Sequence, residues 1–202
     1  MHRTTIAVLL LLFCLQLVAT DAQSIQDSYL AEARGDYNNA ILVMQNLAEK
    51  DPTEVFYMMR VAWLSYLMGN YQSALEQYQR SLRSLDHADA RLGVINCQLA
   101  LGLWDEVLSG TQAMLEQNPQ NTLALSKAAY AAYMKKSYSL AADYFARIIS
   151  ISPWDMENRG YLVNNLYLSG NISEAGKQYR ILKKYFPQSQ IVIDYKDILD
   201  TQ

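Results

Sequence analysis

Apolar and polar positions divide the chain into three parts. An unbroken apolar run extends from Ile6 to Leu15. From about residue 23 to Pro187, stretches that suit helices alternate with short turns rich in Gly, Asn and Pro. The last part predicts an amphipathic helix, because lysine and aspartate fall on one side of it and a mostly apolar set shares the other. That set is Ile191, Asp194, Tyr195, Ile198 and Leu199.

The first apolar run has the features of a secretory signal peptide. His2 and Arg3 precede it, and the small residues Thr20 and Ala22 follow it, so we expect cleavage after Ala22. The run is shorter than the ~20 apolar residues that a membrane span needs. We therefore expect residues 1–22 to be removed and the remaining chain to be periplasmic or secreted, with no membrane span.

A short turn motif recurs five times. Its pattern is Gly, any residue, an aromatic residue, two further residues and Ala, and each of these three defined positions is kept in four of the five copies. The copies begin 34, 33, 34 and 34 residues apart, at Gly35, Gly69, Gly102, Lys136 and Gly170. A second series falls seventeen residues after each start, at Pro52, Asp86, Pro119, Pro153 and Pro187. Gly accepts the positive φ that ends a helix, and Pro ends the next helix because it lacks an amide proton. Each copy therefore predicts a helix–turn–helix unit.

This period predicts an all-α chain of ten helices in five pairs, followed by the amphipathic C-terminal helix. The first helices of the pairs, here called helices A, are predicted at 23–34, 54–68, 87–101, 121–135 and 155–169. The second helices, called helices B, are predicted at 37–50, 71–85, 104–117, 138–151 and 172–185. Small alanines in helices B allow close approach to helices A, and Tyr78, Phe145 and Tyr179 are expected to fill the grooves between units.

A 34-residue helix–turn–helix period with these residues resembles the tetratricopeptide repeat, from about Gln23 to Pro187. The resemblance implies an α-solenoid of five tetratricopeptide-type units, with residues 188–202 forming a C-terminal capping helix and tail. The five units span about 23–54, 55–87, 88–121, 122–155 and 156–187. The chain departs from the family pattern in three ways. Thr111 stands at an aromatic position, Lys136 stands at a turn glycine, and the large residue early in helix A is poorly kept, so we expect a looser third unit. The residues at that early position are Met58, Arg91, Leu125 and Arg159.

The resemblance also implies a binding surface. In tetratricopeptide repeats, helices A line a concave face, and ligands usually meet their second, fifth, ninth and twelfth positions, which share one helical stripe. In this chain the stripe includes Asp89, Leu92, Ser126, Glu157 and Gly160. The candidate partner-binding residues, including two cations one place beyond the fifth position, are Phe56, Met59, Arg60, Trp63, Tyr66, Asn96, Lys127, Tyr130, Tyr133, Asn164 and Tyr167.

Tyrosine is unusually frequent, with fifteen residues against four Phe. Tyr37, Tyr71 and Tyr138 recur beside the turns, which indicates packing. The tyrosines of the stripe are equally consistent with ligand contact and with helix packing. Aromatic side chains with polar tips suit an extended peptide, and Asn96 and Asn164 are suited to pair with its amides. Arg60 and Lys127 form an incomplete set for the carboxylate clamp of some relatives.

Charge and composition exclude several other functions. The formal charge is -3, and no block of Lys and Arg is present, which argues against nucleic acid as a partner. After signal removal Cys97 is the single cysteine and His87 the single histidine, so we expect no intrachain disulfide, no metal site and no histidine-based catalysis. We expect no cofactor and no enzymatic activity.

The leading hypothesis is a non-enzymatic scaffold or adaptor for protein–protein interaction. It is exported and binds an extended peptide or helix of a partner in its aromatic concave groove, as part of an envelope-assembly or secretion complex. The alternative is a self-associating structural building block that stacks through its first unit or its groove.

Overall fold

The computed structural model describes residues 24–200. Residues 24–33 are helical (α1), and ten helices and no strand follow within the described range. These are Tyr37–Lys50 (α2), Val55–Leu67 (α3), Tyr71–Ser84 (α4), Ala88–Leu101 (α5), Trp104–Gln117 (α6), Thr122–Met134 (α7), Tyr138–Ile151 (α8), Met156–Leu168 (α9), Ile172–Tyr185 (α10) and Gln190–Leu199 (α11). The all-α prediction is confirmed, and α2 to α10 agree with their predicted bounds to within one residue at each end. The predicted signal peptide, residues 1–22, lies outside the described residues.

The chain divides into two compact units between Leu101 and Gly102, at the turn of the third predicted repeat. In the first unit α1 to α3 share a core that includes Met44, Leu47 and Leu64. In the second unit α6 to α11 share a larger core built on a series of fully buried alanines in α7 and α8. Among the described residues, no helix is both long and apolar enough to cross a membrane.

The turns after α1, α3, α7 and α9 share one hydrogen-bonding pattern. After α3, Gly69 has φ 78°, its amide donates to the Tyr66 carbonyl at 2.9 Å, and the next amide donates to the Ser65 carbonyl at 2.9 Å. This is the Schellman motif, in which a residue with positive φ satisfies the last carbonyls of a helix. Lys136 makes the same turn after α7 with φ 60°, and its amide donates to the Tyr133 carbonyl at 2.8 Å. Lysine at this glycine position therefore preserves the turn, but its backbone adopts the left-handed conformation, which is unfavourable for residues other than glycine.

The ends of the helices use side chains that the sequence supplies at fixed places. Asn121 and Asp155 cap α7 and α9, accepting from the amides of Ala124 at 3.1 Å and Asn158 at 3.0 Å. These caps satisfy amides that lack partners inside the helix. A proline stands two residues after the last residue of α2, α6, α8 and α10, as predicted.

Small and large residues meet between helices in the way the repeat predicts. Ala40, Ala74, Ala141 and Ala175 are fully buried. The Tyr78 ring lies directly against Gly93, where a Cβ atom would come within 2.5 Å of it. The Phe145 ring lies 5.3 Å from that of Tyr161, centroid to centroid. Thr111, at an aromatic position of the repeat, is buried and its hydroxyl donates to the Val107 carbonyl at 2.7 Å.

The C-terminal helix α11 packs against α9 and α10, in agreement with its predicted capping role. Its buried face differs by about one residue from the predicted one. Val192 and Leu199 are buried and Tyr195 is half-buried, whereas Ile198 is exposed. Residue 192 takes the core position because it follows the spacing of three and four residues set by 195 and 199.

Candidate functional site: two aromatic grooves

The first groove lies within the first unit, between α3, α4 and α5, and has a volume of about 370 Å³. Five of the eleven predicted partner-binding residues line it. Its lining consists of Phe56, Met59, Arg60, Trp63, Tyr78, Asp89, Leu92, Gly93 and Asn96. Phe56 and Trp63 are among the exposed large side chains, at 40% and 37%. The stripe predicted on α3 and α5 is therefore brought together here.

Arg60 is held by residues of α1. Its Nη2 donates to Glu32 Oε2 at 2.5 Å, and its guanidinium lies 4.1 Å from the centre of the Tyr29 ring. The same carboxylate accepts a hydrogen bond from Trp63 Nε1 at 2.8 Å. Arg60 is 9% exposed, so its charge is neutralised inside the protein. It therefore orients Glu32 and Trp63 at the groove and does not supply a cation for a ligand carboxylate.

The pKa of Glu32 records this arrangement. Burial by itself would raise the pKa of Glu32, but the hydrogen bonds from Arg60 and Trp63 favour the ionised form and bring the pKa below its ordinary value. The carboxylate is thus ionised at neutral pH and is the common partner of two groove residues.

The second groove lies within the second unit, between α7, α8 and α9, and has a volume of about 490 Å³. It contains three of the predicted residues, Tyr130, Tyr133 and Asn164. Its full lining is Ser126, Tyr130, Tyr133, Phe145, Glu157, Asn158, Tyr161, Asn164 and Asn165. Tyr130 and Tyr133 are 50% and 39% exposed, so their rings remain available at the surface.

Contacts behind the groove fix the orientation of these rings. Tyr130 meets Trp104 edge to face at 5.9 Å, and Tyr133 meets Tyr138 at 5.8 Å. Edge-to-face and tilted pairs are favourable because the positive edge of one ring meets the negative face of the other. Tyr161 donates its hydroxyl to Glu157 Oε1 at 2.9 Å, and this bond, together with burial, raises the pKa of Tyr161.

Asn165 forms part of the groove lining and is 2% exposed. Its Nδ2 donates to the Tyr161 carbonyl at 2.8 Å. A carbonyl accepts and never donates, so this bond fixes the amide orientation. Its Oδ1 has no hydrogen-bond donor among residues 24–200. A buried acceptor without a partner costs about 1–3 kcal/mol.

Three predicted residues lie outside the lining of both grooves. Tyr66 stacks on Trp63 at 5.9 Å beside the first groove. Tyr167 packs edge to face on Tyr195 of α11 at 5.1 Å, which makes it a contact of the capping helix. Lys127 is half-buried on α7, and burial lowers its pKa. The hydroxyl of Tyr195 also donates to Asn164 Oδ1 at 2.7 Å, so this predicted peptide acceptor already has a partner.

Tyr161 and Asn165 were missed by the sequence prediction. They lie one place beyond the fifth and ninth positions of the stripe, and their spacing of four residues keeps them on one face of α9. A stripe two residues wide would have included them. Tyr78 and Phe145 were predicted as packing residues of helices B, and their rings also form walls of the grooves.

A third cavity, of about 530 Å³, lies in the first unit between α2, α3 and α4. It is lined by the polar side chains Gln45, Glu49, Gln77 and Arg80 together with Pro52 and Met58, among others. No predicted partner-binding residue reaches it. The two grooves combine exposed aromatic rings with polar groups at their base, which is the composition typical of binding sites, and this cavity does not.

Groups that could support catalysis or metal binding are sparse among residues 24–200. No cluster of three or more His, Cys, Asp or Glu side chains suits a metal ion within that range. Cys97 is buried, as predicted, and burial raises the pKa of its thiol to about 11. The thiol therefore stays protonated at neutral pH and packs as a small apolar group.

Comparison with known proteins agrees with the repeat assignment. Residues 62–106 match the family model of the tetratricopeptide repeat. A segment of 81 residues is 30% identical to the mouse Superkiller complex protein 3. The aligned segment covers 40% of this chain and 5% of the length of that protein.

Solved structures of helical-repeat proteins have a similar fold. A tetratricopeptide repeat protein from Parabacteroides merdae superposes with a TM-score of 0.76 and 18% identity, covering 87% of this chain and 70% of the other. YrrB, described as a TPR protein with an unusual peptide-binding site, superposes with a TM-score of 0.71 and 14% identity, covering 87% of this chain and 91% of the YrrB chain. MamA from Desulfovibrio magneticus superposes with a TM-score of 0.74 and 12% identity, covering 84% of this chain and 97% of the MamA chain. Residues 62–106 are therefore similar to the tetratricopeptide repeat, and the described chain has the all-α fold of these helical-repeat structures.

Proposed function

We propose that this protein is an exported, non-enzymatic scaffold that binds an extended peptide or helix of a partner protein in its aromatic grooves. The observation that carries the proposal is the pair of grooves, each lined by rings that are anchored from behind and exposed in front. Trp63 is anchored by Glu32, and Tyr130 is anchored by Trp104. Rigid aromatic side chains bury much area at low entropic cost, which favours peptide binding.

The peptide-binding site described for YrrB, a protein of similar fold, adds support at the level of the fold alone. Arg60 is engaged by Glu32 and Lys127 lies outside the groove linings, so the proposal does not rest on a carboxylate clamp. We assign the partner to an envelope-assembly or secretion complex, following the predicted signal peptide.

The double variant Trp63→Ala with Tyr130→Ala tests the proposal. Both rings are partly exposed on helix surfaces, so the variant should keep its helical fold, with some loss of thermal stability, and lose capture of its partner from native extract. A matched control is Trp154→Ala with Tyr185→Ala, which removes the same two residue types. Those rings are 66% and 47% exposed, contact each other at 5.0 Å and lie outside both grooves. Full capture by the groove variant, or equal loss in the control, would refute the assignment.

Export has an independent test. The full chain expressed in a secreting host should appear in the periplasm or medium with Gln23 as its first residue, since cleavage is expected after Ala22. Recovery of the uncleaved chain from the cytoplasm would contradict this part of the proposal.

Self-association is the second candidate function. Tyr29, Leu30 and Leu42 of the first unit are exposed at 45%, 45% and 54%. Exposed apolar side chains at the end of a repeat array favour stacking on another copy. Light scattering over a concentration series tests this function, because a mass that stays monomeric at high concentration excludes it.

A further inference from the structure

The lining of the second groove carries negative charge and no positive charge. Glu157 is the one acidic side chain among the nine residues that line it, and no Lys, Arg or His belongs to that lining. Glu157 also accepts a hydrogen bond from the Tyr161 hydroxyl, so the carboxylate is held beside the tyrosine ring. A ligand in this groove therefore meets a negative charge that no lining cation offsets.

The base of the groove adds an acceptor to this charge. Asn165 directs its amide nitrogen to the carbonyl of its own helix, and its buried Oδ1 has no donor within the described part of the chain. The oxygen is buried from water, so a ligand group reaches it only when the Asn165 side chain turns toward the ligand; a donor then satisfies it, and a group that only accepts does not. The second groove therefore favours a ligand that donates a hydrogen bond.

The walls of the groove are the faces and edges of aromatic rings. Tyr130, Tyr133 and Tyr161 are all exposed at 39% or more, and Phe145 supports Tyr161 from behind. The negative face of an aromatic ring attracts an ammonium or guanidinium group placed over it. Rings, carboxylate and unpaired acceptor therefore favour the same kind of ligand group.

We infer that the second groove recognises a basic side chain, Lys or Arg, of an extended peptide. Its ammonium or guanidinium group lies among the rings of Tyr130, Tyr133 and Tyr161, pairs with Glu157 and donates to Asn165. This inference rests on the proposed function and specifies the ligand. It is opposite in sign to recognition of a C-terminal carboxylate, which would meet Glu157 with no cation in the lining to offset it.

A set of capped peptides tests the inference on the full chain. The probe is acetyl-Gly-Ser-Ala-X-Ala-Ser-Gly-amide with X as Lys, Arg, norleucine or Glu. Titrations are followed by NMR at the side-chain amides of Asn164 and Asn165. Norleucine keeps the alkyl chain of lysine and removes its charge, so we expect the Lys and Arg peptides to bind roughly tenfold more tightly than the norleucine peptide.

Two conservative variants separate the groove from general electrostatics. Glu157→Gln removes the charge of an exposed side chain and keeps a partner for the Tyr161 hydroxyl, so the fold should be unaffected. Glu116→Gln makes the same change at an exposed position of α6 in the same unit, outside the groove. The preference for basic peptides should disappear in Glu157→Gln, persist in Glu116→Gln and weaken with added salt.

The outcomes distinguish this inference from the proposed function. Equal or tighter binding of the norleucine or Glu peptide at the groove signals overturns the basic preference and leaves peptide binding in place. A preference for basic peptides that both variants reduce equally also overturns it, because the effect would then come from net charge. If no peptide perturbs the groove signals, the second groove is not a peptide site, and the proposed function fails there as well.

Discussion

Gly93 lies in the middle of α5, and replacing it with alanine tests how closely the wall of the first groove is packed. An added Cβ would lie 2.5 Å from two carbons of the Tyr78 ring and 2.6 Å from a third. Ordinary carbon–carbon contacts are about 3.5–4.0 Å, so the ring must move by about 1 Å. Tyr78 is 5% exposed, and burial raises its pKa to about 12, which is consistent with a ring fixed in the core.

Two effects of opposite sign determine the result. Overpacking a core costs about 1–3 kcal/mol. Alanine in place of glycine inside a helix is favourable by about 1 kcal/mol. We expect Gly93→Ala to lower the free energy of unfolding by about 1 kcal/mol, measured by urea denaturation followed by circular dichroism. In a Tyr78→Leu background the ring is absent, so the same substitution should be neutral or stabilising.

Gly176 provides a matched control. It lies inside α10, and its added Cβ would meet the flexible end of Arg180 at 3.4 Å. Gly176→Ala should therefore stabilise the protein by up to about 1 kcal/mol. The reasoning is refuted if Gly93→Ala stabilises the wild-type chain as much as Gly176→Ala does, or if its effect is the same with and without the Tyr78 ring.

Three further predictions follow from single contacts. Lys136→Gly should raise the free energy of unfolding by about 1 kcal/mol, because glycine adopts its positive φ without strain; a loss of stability in urea melts would contradict this. Glu32 has a lowered pKa, so its stabilisation is complete above its unfolded pKa and is lost as pH falls through the lower folded value. Between pH 7 and pH 3 the free energy of unfolding should therefore fall more steeply with pH for the wild type than for Glu32→Gln. Parallel curves would exclude the Arg60–Glu32 pair as a source of pH-dependent stability. In a Cys14→Ser chain at pH 8, Cys97 should react with a thiol reagent only as fast as its unit opens, since it is buried and its pKa is about 11; labelling at the rate of a free thiol would argue against its burial.

The repeat frame explains why the fold was predictable in detail. Turn glycines, small alanines and closing prolines act locally, so their spacing alone sets helix bounds to within one residue. The stripe on helices A is also a local property, and its residues Trp63 and Tyr130 line the two grooves. Whether these residues bind a partner stays a prediction.

Contacts between different repeats were not predictable from the frame. The partner of Arg60 is Glu32, 28 residues earlier and in another helix, and no spacing rule within one repeat indicates such a pair. The same holds for the bond from Tyr195 to Asn164, which joins positions 31 residues apart. The unpaired oxygen of Asn165 depends on what surrounds it in three dimensions, so sequence could identify the residue only as an amide beside the stripe.

One position of the repeat shows how such contacts create different surfaces on the same fold. The place immediately after the fifth residue of helix A is occupied in turn by Arg60, Gly93, Lys127 and Tyr161. At Gly93 the absent side chain leaves room for Tyr78, whose ring sinks into the core at 5% exposure. At Tyr161 the facing Phe145 already fills that space, so the tyrosine ring turns outward, is 47% exposed and becomes a wall of the second groove. Helix B presents a buried aromatic ring in both cases, so the residue at this position of helix A decides whether the place is core or binding surface, and groove specificity can change by substitution there while the repeat fold is retained.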